Sequence, residues 1–329
     1  MTTPANTLRR FAGTGRGLVA DSSALVFVVL GLLVAGSWAL VGPSFLSYQN
    51  ILSIVQRSVA LGIVAAGQTI VILVGSLDLS VAYLVSVTAV IASAIMQGDP
   101  ALMLPAVAVC LAIGVIVGLT NGLIITKLRV NAFIATLGVA LILRGVLNAS
   151  VDNFTGSVPI EFQALAYASL GPVPYSIMLL AGVFAAGWFL LRYTRLGHHI
   201  YAVGGDEETA RLSGIRSHRI IITSHVIVSL TAVLTGLFIV SRLRAGAPWV
   251  GPDGAYDLES IAAVVVGGTA LAGGRGGVLG TLAGVFILAL LDNVFNQLQV
   301  NPFIKDIVRG VIIVGAVAIY ALGSRRRDG

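Results

Sequence analysis

The chemistry available to this chain rests on few polar residues, because 10% of its 329 residues are charged while 57% are hydrophobic. Its two lysines, Lys127 and Lys305, are followed by Leu128 and Asp306. A phosphate-cradling loop needs a glycine turn and then Lys followed by Ser or Thr, so this chain holds no ATP site of that kind. His198, His199, His218 and His225 lack the spacing that presents two imidazoles on one helix face to a catalytic zinc, and no Gly-x-Ser-x-Gly nucleophile turn is present. The single cysteine, Cys110, lies in an apolar run, which excludes an intramolecular disulfide and a cysteine metal cluster. No catalytic residue, cofactor or metal is expected.

What remains is a set of polar side chains inside apolar stretches: Gln68, Asp78, Asn121, Arg144, Asn148, His225, Asp292, Asn293 and Asn296. Each costs free energy in hydrocarbon unless it pairs or meets water, so each is a candidate for a solute path. Asp78 precedes an apolar run, where capping of exposed amides is its first expected role. Arg144 carries a permanent charge and must pair, snorkel or face water; Asp292 is one expected partner. His225 is expected to hydrogen-bond between helices.

The elements that position these residues follow from hydropathy. A helix needs about 20 apolar residues to cross a bilayer core. Ten runs qualify, near 23–42, 56–74, 80–96, 101–126, 133–150, 174–191, 220–241, 258–271, 277–297 and 303–322. Glycines 267, 268, 273 and 274 interrupt the eighth, which reads as a re-entrant or half helix. The fold class is therefore all-α integral membrane, with a cytoplasmic tail over 1–22, a transmembrane domain over 23–323 and a short tail over 324–329. The basic surplus, 18 Arg and 2 Lys against 14 acids, reads as topology rather than nucleic-acid binding. Arg9, Arg10 and Arg16, the five arginines of loop 192–219, and Arg325, Arg326 and Arg327 all fall on the inside when six spans precede the loop and four follow it. Both termini are then cytoplasmic, and Arg242 and Arg244 fall outside. Leu8-Arg9-Arg10-Phe11 introduces a signal-anchor helix rather than a cleaved export signal.

Two glycine stripes, Gly114, Gly118 and Gly122 in the fourth run and Gly276, Gly280 and Gly284 at the ninth, predict close helix contacts, within one chain or between two. Val130-Asn131-Ala132-Phe133-Ile134 before the fifth run matches Val300-Asn301-Pro302-Phe303-Ile304 before the tenth at four of five positions. Both follow a striped run, which fits an inverted repeat of runs two to five with seven to ten.

The polar loop 192–219 is long for a cytoplasmic connection. Asp206, Glu207 and Glu208 suit a helix start and Gly214 a helix stop, so Glu207 to Gly214 reads as a short surface helix. It is either a solvated connector or a docking helix for a soluble partner. Segments 150–174, with Asp152, Glu161 and Tyr167, and 242–259, with Trp249, Pro252 and Asp253, lie outside in this scheme and offer surfaces to an external partner.

Glu208-Thr209-Ala210, three residues, then Gly214 resembles the Glu-Ala-Ala-x-x-x-Gly signature of ABC importer permeases, departing at Thr209. Val74-Gly75-Ser76-Leu77-Asp78-Leu79-Ser80, Asn131 to Gly138 with Arg144-Gly145, Tyr201-Ala202-Val203-Gly204-Gly205, and Ile261 to Thr269 with Gly273 to Gly276 resemble, in order, the ribose-type sugar permease family from about Gln49 to Ala321. The departures are Ser76, where the family usually has a second Gly, and Ala82-Tyr83, where Gly-Ser is common. The resemblance implies about ten helices on a plan similar to the vitamin B12 importer permease, in a bacterial inner membrane. It also implies a second permease subunit, identical or not, a separate ABC ATPase with two fused nucleotide-binding domains and an extracytoplasmic sugar-binding protein. The ATPase would dock on Glu207, Glu208, Thr209, Ala210, Arg211 and Gly214. Other readings are an importer of the same class for a branched-chain amino acid or similar polar solute, an ion-coupled secondary transporter, and a membrane enzyme. The last lacks a paired catalytic constellation. An ion-coupled carrier would be expected to place several carboxylates mid-span, where only Asp292 stands clearly.

Overall fold

A computed structural model of the chain describes residues 26–301 together with 303–305, 307, 308, 310, 311 and 315. The tails at 1–22 and 324–329, with their arginines, and most of the expected run 303–322 lie outside the described residues. Within them the helices are α1 (Val26–Val41), α2 (Tyr48–Leu73), α3 (Val81–Met96), α4 (Met103–Lys127), α5 (Ala132–Ser150), α6 (Ile160–Tyr167), α7 (Tyr175–Tyr193), α8 (Arg195–Gly205), α9 (Glu207–Leu212), α10 (Ser217–Leu243), α11 (Val250–Asp253), α12 (Tyr256–Val266) and α13 (Val278–Gln297). Six of the described helices, the first of them α2 and the last α13, are long and apolar enough to cross a membrane.

The elements follow the hydropathy pattern closely; one start differs, the expected half helix is formed, and one connection holds a short ribbon. Helix α2 begins at Tyr48 rather than near 56, capped by the Ser47 hydroxyl, which accepts from the Asn50 amide at 3.3 Å. Its first turns carry Asn50, Ser53, Gln56 and Arg57, which dilute hydropathy without opposing helix. The eighth run is a half helix: α12 has 11 residues, about 16 Å at 1.5 Å per residue, and stops where Gly268 takes a φ of +84°. In the connecting segment before α7 the chain forms a two-stranded antiparallel ribbon, β1 (Ser169–Leu170) with β2 (Val173–Pro174), closed by Gly171 at φ +59° and Pro172.

Burial ranks the helices. In α2, 83% of the most apolar window is buried, against 28% in α4, α5 and α7, so α2 is central and the others form the rim. Helix α10 packs against α2, α3 and α4. The first glycine stripe makes the α4 contact, within one chain. A Cβ on Gly114 would lie 2.6 Å from Val233 Cγ2, on Gly118 2.6 Å from Val226 Cα and on Gly122 2.7 Å from Ile222 Cα. Gly67 brings α2 against Thr231 and Val228, and Gly236 brings α10 against Thr88 of α3. Lipid is as apolar as a leucine side chain, so what favours these contacts is dispersion between closely apposed backbones. The second stripe is helical only in part. Gly280 and Gly284 pack α13 against Gly267 and Ala263 of α12, whereas Gly276 precedes the helix with φ +119°, packed on Thr269.

The matching pentapeptides share a local device. The Asn131 side chain accepts from the Phe133 amide and that of Asn301 from the Phe303 amide, both at 2.9 Å. Outside the bundle core, the Tyr167 hydroxyl donates to the Arg242 carbonyl at 2.7 Å, and the Arg244 guanidinium lies 5.3 Å from the Tyr167 ring centroid. The two arginines that run against the charge bias thus hold the segment between α5 and α7 onto the end of α10.

Replacing Gly118 with leucine should force α4 off α10 and destabilise the protein by about 1–3 kcal/mol or more, read as a lower melting temperature in detergent. Gly138 has nothing within 4 Å of its would-be Cβ, so Gly138→Ala should leave that temperature unchanged or raise it, since alanine favours helix by about 1 kcal/mol.

Candidate functional site

Three groups of polar residues lie along the bundle beside α10. That helix has 27 residues, about 40 Å of rise, running from the α9 turn at Ser217 to the Pro248–Pro252 segment beyond Leu243.

Alongside the first turns of α3, where the chain leaving α10 folds back to place Gly251 against Ala82, lies a cavity of about 430 Å³ between α3, α5 and Pro248–Pro252, lined by Tyr83, Arg144, Asn148, Asp152, Trp249 and Pro252 among others. Arg144 and Asn148 are four apart on α5 and therefore share a face. Gly251 lets the α11 turn press on α3: its amide donates to Ser86 Oγ at 2.9 Å, and a side chain there would collide with the Ala82 carbonyl. Trp249 is oriented by Phe154, edge to face, with centroids 5.2 Å apart. The expected Arg144–Asp292 pair is not formed, and none of the ion pairs among the described residues includes Arg144 or Asp152. Arg144 resolves its charge by facing an open cavity near the end of α5. Asp292 is half-buried on α13.

In the middle of the bundle lies a fully buried polar cluster. Asp78 Oδ1 accepts from the Ser80 amide at 2.9 Å and the Ser80 hydroxyl at 2.6 Å, just ahead of α3, so it holds the residue before the helix rather than capping amides within it. The same carboxylate does more. Its Oδ2 lies 3.1 Å from Asn121 Nδ2 on α4 and 3.2 Å from His225 Nδ1 on α10, while His225 Nε2 is 2.9 Å from Ser76 Oγ. His225 is the interhelical hydrogen-bonding residue expected. One acid thus ties the α2–α3 connection to α4 and α10, with no exposed surface on Asp78, Asn121 or His225. Removing one member would leave buried donors unsatisfied. Gln68 is equally buried in α2, and neither of its amide atoms has a partner among the described residues. Asn293 donates to Asn50 Oδ1 at 2.8 Å and accepts from Gln297, which ties α13 to α2. Asn296 is exposed, and its Oδ1 accepts from the Lys305 ammonium at 2.5 Å.

At the near end of α10 stands the expected surface helix. Asp206 caps α9, accepting from the Thr209 amide at 2.6 Å. The hydroxyl and amide of Thr209 hold this carboxyl below its ordinary range, so the cap persists until pH falls through that lowered value. Thr209, where the sequence departs from the signature, thereby joins the cap. Arg211 and Glu208 pair at 2.6 Å, both exposed, which contributes little stability. Gly214 ends the turn with φ +84°, its amide donating to the Arg211 carbonyl and that of Ile215 to the Ala210 carbonyl. Only Ala210 is buried; Glu207, Glu208, Thr209, Arg211 and Leu212 face outward.

Helix α8, which the sequence reading left within a loop, connects this turn to the bundle. A side chain on Gly204 would collide with the Leu73 carbonyl, the last of α2, which also accepts from the Gly274 amide at 2.9 Å. Gly273 and Gly274 in turn pack on Gly204, Gly205 and Gly75. Three glycine-bearing segments therefore meet backbone to backbone: the end of α8, the end of α2 and the connection before α13.

Tyr83, Asp152 and Trp249 were not among the path candidates. No local signal joins them, since about a hundred residues separate Asp152 from Trp249; the nearest hint was the departure at Tyr83. Ser76, the other departure, holds His225.

Residues 50–317 match the family model described as branched-chain amino acid transport system / permease component. Among relatives, the ribose import permease protein RbsC of Escherichia coli K12 is 38% identical over 324 residues, covering 97% of this chain and 98% of the relative. RbsC of Bacillus subtilis 168 is 38% identical over 288 residues, covering 85% and 87%. The galactose/methyl galactoside import permease protein MglC of E. coli K12 is 32% identical over 323 residues, covering 92% and 95%. No solved structure matches the chain. The apolar helices, the motif order and a family match across most of the chain lead to one conclusion: this protein belongs to the family of integral-membrane transport-system permease components.

Proposed function

We propose that the chain is the membrane-spanning subunit of an ATP-driven importer for a monosaccharide, in the inner membrane of a bacterium. The observation that carries this reading is likeness over nearly the whole length to permeases that import ribose and galactose. The subunit would have about ten helices on a plan like the vitamin B12 importer permease, with both termini in the cytoplasm. It would work with a second permease subunit, a separate ATPase with two fused nucleotide-binding domains and an external sugar-binding protein. The family description names branched-chain amino acids, which makes such a solute the second reading.

The mechanism is alternating access. Closure of the ATPase pair displaces the docking turn Glu207–Gly214, and the bundle passes between two packings that open opposite ends. A turn can drive a bundle only through contacts that do not give. Side chains can change rotamer to absorb a displacement, whereas the junction of Gly204, Leu73 and Gly274 has only backbone in contact, so motion of α8 must move the end of α2 and the start of α13 with it. Of the polar residues within the spans, Arg144 and Asn148 would meet solute. Gln68, Asp78, Asn121 and Asn293 are enclosed in this conformation and act on packing unless the other state opens them; Asp292 remains a candidate for the path.

Glu208→Lys or Gly214→Val should abolish co-purification with the ATPase while membrane insertion is normal; unchanged association would remove the docking role from α9. Gly204→Ala should retain the ATPase and its ATP hydrolysis while uptake in proteoliposomes falls by about tenfold or more, since a methyl must break the Leu73 contact. Uptake at the wild-type level would show that the junction transmits nothing. Concentrative uptake by this chain in liposomes with no ATPase present would overturn the importer reading itself.

A further inference from the structure

The geometry points to the cavity between α3, α5 and Pro248–Pro252 as a transient subsite for a single sugar ring, stacked on Trp249 and hydrogen-bonded to Arg144, Asn148 and Asp152. This rests on the importer reading and adds to it a place and a chemistry.

At about 430 Å³, the cavity is within the range of small-molecule sites. Its lining combines two kinds of surface. Tyr83 and Trp249 supply aromatic faces, whose negative quadrupole suits the weakly positive C–H side of a sugar ring. Arg144, Asn148 and Asp152 supply the polar side, and together they match hydroxyl chemistry: the guanidinium only donates, the carboxylate only accepts, the amide does both, and a hydroxyl answers all three. One fixed positive and one fixed negative charge leave the lining balanced, as a neutral ligand requires. Neither charge is spent on an ion pair among the described residues.

The walls are set before any ligand arrives. Phe154 fixes the indole plane at 78° to its own ring, the Gly251 to Ser86 bond seats the α11 turn on α3, and Pro248 and Pro252 stiffen the segment that carries Trp249. The Thr155–Gly246 bridge joins that segment to the stretch that carries Asp152 and Phe154. Preorganised walls allow weak but selective contact without an ordering cost at each passage. The floor is also placed for gating. Tyr83 is in the first turn of α3, whose start is held by the Asp78 cluster, so a shift of α10 that disturbs His225 would reach the cavity through Asp78 and α3.

The test uses the full-length permease in nanodiscs, with saturation-transfer NMR from protein to D-ribose and D-galactose, and with L-leucine as the competing chemistry. Wild type should transfer saturation to the ring protons of at least one sugar. Trp249→Ala and Asn148→Leu should each cut this by about tenfold, and Trp249→Phe should keep most of it, since the aromatic face survives. Co-purification with the ATPase, unchanged in each variant, confirms that the fold persists. The subsite is overturned if Trp249→Ala and Asn148→Leu transfer as wild type does, or if neither sugar receives saturation. The parent reading is judged separately in the assembled importer. Sugar uptake that ignores Trp249→Ala would sink the subsite alone, whereas uptake of L-leucine and of neither sugar would sink both.

Discussion

The contact of α10 with α2, α3 and α4 is the constraint on which the rest of the molecule depends. Helices in lipid gain nothing by burying apolar surface, so a bundle stays together through close backbone approach and through polar groups with nowhere else to bond. This protein uses both at one seam. Glycines 67, 114, 118, 122 and 236 remove the side chains that would separate the helices, and Asp78 offers its carboxylate to Asn121 and His225 across the gap. The glycines make the cluster reachable; the cluster in turn gives the seam a direction, because hydrogen bonds fix register where dispersion alone does not.

From that seam follows a division of labour among polar residues. Those near the middle are spent on holding helices, which is why they are enclosed. Those near the end of α5 face open space, where Arg144 makes no ion pair among the described residues. The α9 turn and the Pro248–Pro252 segment are joined through the chain to opposite ends of the same helix, so a rigid α10 links the two. The glycine junction at Gly204, Leu73 and Gly274 adds a second connection, from the turn into α2 and α13.

Much of this was legible in the residue order. Hydropathy placed α3, α4, α5, α7, α10 and α13 to within a few residues, because a bilayer imposes length and polarity on a span more strictly than water imposes either on a soluble helix. The glycine doublets after Val266 announced the half helix, and Gly214 announced the stop of α9, since both are backbone conformations that other residues resist. The start of α2 was missed because its outer turns mix Asn50, Gln56 and Arg57 with apolar residues. A local bond of Asp78 ahead of α3 could be read from its neighbours, but its bonds to Asn121 and His225 could not, being contacts between distant segments. The cavity was half legible: the spacing of Arg144 and Asn148 put them on one face, while Trp249 and Asp152 joined them only when the chain folded. Arg144 was matched with Asp292 on charge alone, and the fold does not bring them together.

The account requires the turn after α8 and the rim of the cavity to face opposite sides of the membrane. Cys110 is the chain's single cysteine and is buried, so a Cys110→Ala background allows one introduced thiol at a time. With a membrane-impermeant maleimide on intact cells, Asp152→Cys should label from outside, and Ser213→Cys should label only after the membrane is permeabilised. Labelling of Ser213→Cys from outside, or protection of Asp152→Cys until permeabilisation, would contradict it.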